Sequence, residues 1–129
     1  MAKFKMPKNS SLLRSTITAS TGLFTAIKTE RKVRQVVIAA VIVTAVCSAA
    51  DVGYFQILMT IFSWVHALIC EMFNTALENA LDYASGKEYH PLIRSGKDYA
   101  AACTFVAIIF ASALSLFVLS EAIRGAKVT

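Results

Sequence analysis

The chain has 129 residues, of which 57% are hydrophobic and only 16% charged, with a mean hydropathy of +0.61 and a formal net charge of +5. A soluble domain carries roughly a quarter charged residues, so a water-soluble globule is excluded and the apolar surface must face lipid or partner subunits. The positive balance does not point to nucleic acid, because no basic patch is interleaved with stacking aromatics; it reads as membrane topology and attraction to anionic headgroups.

In chain order, residues 10–29 are not apolar enough to span a bilayer. Leu13, Ile17, Ser20, Phe24 and Ile27 nevertheless recur at helical spacing, with Thr16, Thr18, Thr21, Thr25 and Lys28 mostly elsewhere on the wheel. The pattern predicts an amphipathic helix on the membrane surface, capped by Asn9 or Ser10; the alternative is a solvated tail.

Three stretches then carry no charge: Gln35 to Ala50, Val52 to Cys70 and Tyr99 to Ser120. A hydrocarbon core needs roughly 20 apolar residues at about 1.5 Å rise each. The second and third satisfy this, and the first does so once Val33 and the stem of Arg34 extend it by snorkelling. Transmembrane helices are therefore expected at about 34–50, 53–76 and 99–120, within one domain covering residues 1–129.

The basic residues sort by connection. Lys3, Lys5, Lys8, Arg14, Lys28, Arg31, Lys32 and Arg34 precede the first span, Lys87, Arg94 and Lys97 lie between the second and third, and the tight 51–54 turn has none. The positive-inside rule places the N-terminus and the 77–98 connection in the cytoplasm, against Arg124 and Lys127 at the other end. Cys47, Cys70 and Cys103 lie in or at the end of apolar stretches, which reads as small buried apolar residues rather than a disulfide framework.

The acids are few and clustered. Glu71, Asn74, Glu78 and Asp82 stand at offsets of three, seven and eleven, which at about 100° per residue put four polar groups in one narrow stripe on one helix face. Carboxylates near hydrocarbon are costly, and structure alone rarely needs three in a row. Asp82 reads equally well as having emerged into water; Glu71, directly after the long uncharged run, does not. A hairpin returns the start of the first span to the same membrane face, so Glu30 is expected to meet Glu71 and Glu78. Carboxylates without matching histidines or thiolates suit a hard cation, Mg²⁺ rather than Zn²⁺, and Mg²⁺ so held usually carries substrate phosphates. Lys97 is a candidate phosphate contact. No P-loop or G-x-G-x-x-G pattern is present.

Two further features read as packing. His66, the ionisable residue well inside a span, is read as a hydrogen-bonding group at a helix contact, with a proton site as the alternative. Ala107, Ala111 and Ser115 form a small-residue stripe suited to close helix approach within and between subunits.

Glu71-Met-Phe-Asn74-Thr-Ala-Leu-Glu78-Asn-Ala-Leu-Asp82 resembles the signature E-x-x-N-S/T-A-x-E-x-x-x-D of the prokaryotic diacylglycerol kinase family, which includes the undecaprenol kinases. Lys28-Thr-Glu30-Arg-Lys-Val-Arg34 resembles that family's stretch before its first span, with Gly22 eight residues before Glu30. Glu88-Tyr-His-Pro-Leu, followed by Lys97-Asp98-Tyr-Ala-Ala, resembles its loop before the third span. The resemblance covers about residues 15 to 120, in three ordered motifs.

The resemblance implies an all-α membrane protein of three transmembrane helices plus an N-terminal surface helix. It implies a homotrimer in the bacterial cytoplasmic membrane, with active sites shared between neighbours at the cytoplasmic interface. It implies transfer of the ATP γ-phosphate to a membrane lipid alcohol, with Mg²⁺ as cofactor. By the same resemblance, Glu71 is the general base, Glu30 and Glu78 bind the metal, and Asn74 positions groups around the reacting phosphate. Glu88, Tyr89, His90, Lys97 and Asp98 contact the nucleotide, and Arg34 lies beside the lipid headgroup. The chain departs from the family pattern in three places: the loop between Asp82 and Tyr89 is a residue longer, an N-terminal arginine lacks a counterpart in register with Arg14, and Ala19 replaces a common serine. The Thr-Glu-Arg and Tyr-His-Pro-Leu stretches resemble the undecaprenol kinase branch more closely. The Arg34-Gln35 pair also occurs in the diacylglycerol branch, so the expected acceptor is undecaprenol, with diacylglycerol close behind. The competing reading from another class is a small oligomeric ion-coupled transporter using the intramembrane carboxylates; a third is a non-enzymatic assembly subunit.

Overall fold

The computed structural model describes residues 11–86 and 88–126, and these form four helices: α1 (Leu12–Thr29), α2 (Arg31–Ala49), α3 (Tyr54–Ser85) and α4 (Pro91–Ala126). Lys3, Lys5, Lys8, Lys87 and Lys127, and the caps expected at Asn9 or Ser10, lie outside the described residues. The cap of α1 is instead Ser11, whose hydroxyl accepts the Arg14 N–H at 3.3 Å. Thr16, Thr18, Thr21 and Thr29 turn their hydroxyls back onto carbonyls four residues earlier, which satisfies these polar groups inside the helix. Leu13, Ile17 and Phe24 are exposed on this chain.

One residue separates α1 from α2. Glu30 adopts an extended conformation and is at once the C-cap of α1, its N–H bonded to Ala26 O at 2.8 Å, and the N-cap of α2. The turn between α2 and α3 takes four residues, 50–53. Asp51 takes a left-handed φ of 54°, a conformation that a short polar side chain tolerates, and the Gln56 side chain accepts the Gly53 N–H at 3.1 Å to start α3.

Three helices, α2, α3 and α4, are long and apolar enough to cross a membrane. Their extents differ from the hydropathy boundaries. α3 runs to Ser85 rather than 76, and α4 begins at Pro91 rather than 99. At 32 and 36 residues these helices are about 48 and 54 Å long, whereas a hydrocarbon core is about 30 Å thick. Hydropathy marks where lipid ends; backbone hydrogen bonding continues the helix into water until Gly86, at φ +60°, caps α3. Proline at the first position of α4 costs no hydrogen bond, because that N–H has no helical partner. The consequence is a helical hairpin extending beyond the span, with Lys97 and Asp98 on α4 rather than in the loop.

α3 is the central element, with α2 on one side and α4 on the other. Its seam with α4 is built from small and polar residues: Thr60, Ser63, Trp64 and Ala67 on α3, and Thr104, Ala107, Ala111, Ser115 and Val118 on α4, all buried. In lipid, apolar contact with another helix is worth little more than contact with acyl chains, so association relies on close approach and internal hydrogen bonds. Both occur here. The expected stripe of Ala107, Ala111 and Ser115 is buried within the chain, and the Trp64 indole donates to the Ser115 hydroxyl at 3.1 Å, which itself donates to Ala111 O at 2.6 Å. The other faces remain uncovered: Val41, Phe55, Phe62, Phe73, Phe110 and Phe117 are all exposed. Of the cysteines, Cys47 is buried as expected, Cys70 half-buried, and Cys103 exposed, contrary to the buried reading; all are free thiols.

Candidate active site

The stripe predicted on α3 exists, and its members differ in burial. Glu71 and Asn74 are 3% and 2% exposed, buried in the packed part of the bundle. One turn later Glu78 is half-buried, and Asp82 half-exposed in the extension. Asn74 Nδ2 donates to Glu78 Oε1 at 3.3 Å, linking successive turns of the stripe. Glu71 Oε1 and Asn74 Oδ1 are buried with no hydrogen-bond partner among the described residues. Two buried acceptor atoms left without a hydrogen bond are costly in isolation, and they suit a site completed by a hydroxyl proton or a hard cation. The donor set is all oxygen, as Mg²⁺ requires. Among the described residues no group of three or more His, Cys, Asp or Glu converges on one point; Mg²⁺ is commonly held by one or two carboxylates together with substrate phosphate.

Lysines flank the stripe from both sides. Lys32 Nζ of α2 pairs with Glu78 Oε1 at 3.3 Å, and Lys97 of α4 pairs with Asp82. The α2 residue paired with Glu78 is Lys32. Glu30, expected to meet Glu71 and Glu78, lines a groove of about 640 Å³ between α1 and a face of α3, with Gly22, Thr25, Met72, Thr75 and Asn79. The hairpin argument that brought Glu30 to this level applied equally to Lys32, two residues on.

The residues expected to contact a nucleotide lie together. Glu88, Tyr89, His90, Lys97 and Asp98 line one groove of about 320 Å³ between the ends of α3 and α4, together with Asp82, Ser85, Ile93 and Arg94. His90 Nδ1 accepts the Leu92 N–H at 3.2 Å and so caps α4, while Arg94 pairs with Asp98 at 3.8 Å. Sequence spacing did not single out Arg94; its i,i+4 relation to Asp98 was the available signal. Arg34, expected near the lipid headgroup, turns back and donates to Lys28 O at 3.2 Å, at the end of α1. His66 is exposed and contacts Cys70 Sγ, one turn away on its own helix, at 3.8 Å.

A profile of the prokaryotic diacylglycerol kinase family matches residues 17–119. The chain belongs to this family. Among relatives, a diacylglycerol kinase of Helicobacter pylori is 27% identical over 114 residues, 85% of this chain and 88% of that protein. A diacylglycerol kinase of Pseudomonas aeruginosa is 33% identical over 97 residues, 75% of this chain and 78% of that one. The family match spans α1 almost from its start to nearly the end of α4, so it takes in the stripe, both flanking lysines and both grooves. With the three apolar helices, membership makes this a multi-pass bacterial membrane protein and a lipid kinase.

Proposed function

We propose that the chain transfers the γ-phosphate of Mg·ATP to the hydroxyl of diacylglycerol at the cytoplasmic face of the membrane. The observation that carries the reading is the buried pair of unpartnered acceptors, Glu71 Oε1 and Asn74 Oδ1, in a family of lipid kinases. The names of the relatives favour diacylglycerol as acceptor over undecaprenol, toward which the local motifs lean.

Glu71 would accept the lipid hydroxyl's proton as that oxygen attacks. Its burial keeps bulk water away from the carboxylate, and a positioned base contributes about 10²–10⁴-fold. Asn74 holds Glu78 through its amide nitrogen and leaves its carbonyl oxygen for the reacting groups. Glu78 and Glu30 are the residues that would hold Mg²⁺; when bound, the ion neutralises charge on the transferring phosphoryl group. The groove of Glu88, Tyr89, His90, Lys97 and Asp98 would take the nucleotide, with Lys97 exchanging Asp82 for phosphate. Arg34 would turn from the end of α1 to the lipid headgroup. Holding hydroxyl and phosphate in line accounts for several kcal/mol of barrier, of the order known for oriented reactants.

The N-terminus and the 77–98 connection would face the cytoplasm, since they carry most of the basic residues. α1 would lie on that membrane face with Leu13, Ile17 and Phe24 in the headgroup region. We read the assembly as a homotrimer. The reading is supported by the large apolar side chains uncovered on every spanning helix, and by Glu30 opening onto a different groove from Lys97 and Asp98, which a site shared between neighbours would accommodate. No observation favours the transporter alternative: the acids gather toward one end of α3, and His66 is exposed.

The test is ATP-dependent phosphorylation of a panel of lipid alcohols by the purified protein in micelles. Mg-dependent labelling of diacylglycerol ahead of undecaprenol is the expected result. Labelling of undecaprenol alone overturns the acceptor, and labelling of no lipid overturns the function.

A further inference from the structure

We propose that Lys32 is an exchangeable counter-ion of the active site: it holds Glu78 before the divalent cation arrives, and then turns to the nucleotide phosphates. The inference rests on the kinase reading above and adds a residue to its machinery.

Lys32 lies on the first turn of α2, and its ammonium reaches across to α3 to stand 3.3 Å from Glu78 Oε1. That same oxygen accepts the Asn74 amide. The ammonium therefore stands at the carboxylate assigned to the metal, one turn along α3 from the unpartnered Asn74 Oδ1 and two turns from the unpartnered Glu71 Oε1. Its side chain is 61% exposed while that of Glu78 is 32% exposed. The carboxylate is held by the helix and the lysine by little besides the pairing. Exposed pairs of this kind are weak, because two long solvated side chains gain little by meeting in water. A divalent ion has twice the charge and competes for the same oxygen, so Lys32 gives way. A released ammonium on a four-carbon stem stays within reach of the same region, and its three donors suit phosphate oxygens. Lys97 shows the same arrangement one turn further along, paired with Asp82 from the opposite helix. Lys32 and Lys97 thus approach successive carboxylates of the stripe from two different helices.

The proposal predicts effects of opposite sign on two ligands. Lys32→Ala removes a competitor of the metal and a partner of the nucleotide. We expect Mn²⁺ binding without nucleotide, read by electron paramagnetic resonance on the whole protein in micelles, to tighten about two- to fivefold. Mg·ATP binding by equilibrium dialysis should weaken about tenfold. Lys32→Arg keeps the charge and should stay close to wild type in both. A lysine that merely pins α2 to α3 would lower thermal stability and move neither affinity. Mn²⁺ binding that is unchanged or weaker in Lys32→Ala, or unchanged Mg·ATP binding, overturns the proposal. If the wild-type protein binds both ligands and phosphorylates lipid while Lys32→Ala matches it, this inference alone fails. A wild-type protein that binds neither ligand and labels no lipid removes the kinase reading, and this inference with it.

Discussion

Asn74 Nδ2 donates to Glu78 Oε1 at 3.3 Å, one turn along α3, while the carbonyl oxygen of the same Asn74 amide is buried without a partner among the described residues. The amide is thereby oriented: the donor end is engaged and the acceptor end is presented. Asn74→Ala removes both functions. We expect turnover to fall at least about tenfold, the scale of one lost hydrogen bond to a charged group. Helix content by circular dichroism should not change, since the bond lies within one helix. Turnover within twofold of wild type would place Asn74 outside the reacting region.

Glu71→Gln separates catalysis from stability. As the base, Glu71 should be worth about 10²–10⁴-fold in turnover, with Mg·ATP binding retained. The substitution also replaces a buried carboxylate by a neutral isostere, so the thermal midpoint in micelles should hold or rise. A variant retaining more than about a tenth of wild-type turnover would take the base role from Glu71.

Glu30→Ala and Glu78→Ala test the metal. The Glu30 side chain makes no capping hydrogen bond, so its removal should leave the α1–α2 junction intact. Each variant should need higher Mg²⁺ for half-maximal activity and bind nucleotide more weakly. Mg²⁺ titrations that superimpose on wild type for both would place the ion elsewhere.

Trp64→Phe probes the seam and not the chemistry. It deletes the bond from the indole to Ser115 but leaves Ser115 donating to Ala111 O. The expected cost is about 0.5–1.5 kcal/mol in unfolding free energy, read by thermal or denaturant unfolding in detergent. kcat should change less than about twofold, because Trp64 lies about two turns before Glu71. A large loss of kcat with unchanged stability would link the seam directly to the reaction.

Mixing tests the shared site. Glu30 opens onto a groove between α1 and α3, whereas Lys97 lines a groove between α3 and α4. If neighbours complete each site, two inactive variants defective on different sides should regain part of wild-type activity when reassembled together. Each variant reassembled with itself should give none. If no pairing among Glu30, Glu71, Glu78 and Lys97 variants recovers activity, while cross-linking demonstrates subunit exchange, each site belongs to one chain.

The sequence by itself determined the membrane class, the three spans and the carboxylate stripe. All follow from one-dimensional quantities: a run of uncharged residues must lie in hydrocarbon, and offsets of three, seven and eleven must share a helix face. It also carried the motifs by which the family is recognised. Tertiary structure decided which residues meet across helices. Lys32 pairs with Glu78 across α2 and α3, a contact that no one-dimensional spacing singled out, while Glu30, the single extended residue between α1 and α2, lines the α1 groove. Lys97 finds Asp82 because α3 and α4 continue as helices past the point where hydropathy falls. Hydropathy records the solvent around a segment, whereas contacts depend on rotation and register between helices, which follow from packing small residues such as Ala67 and Ala111 closely enough for Trp64 to reach Ser115.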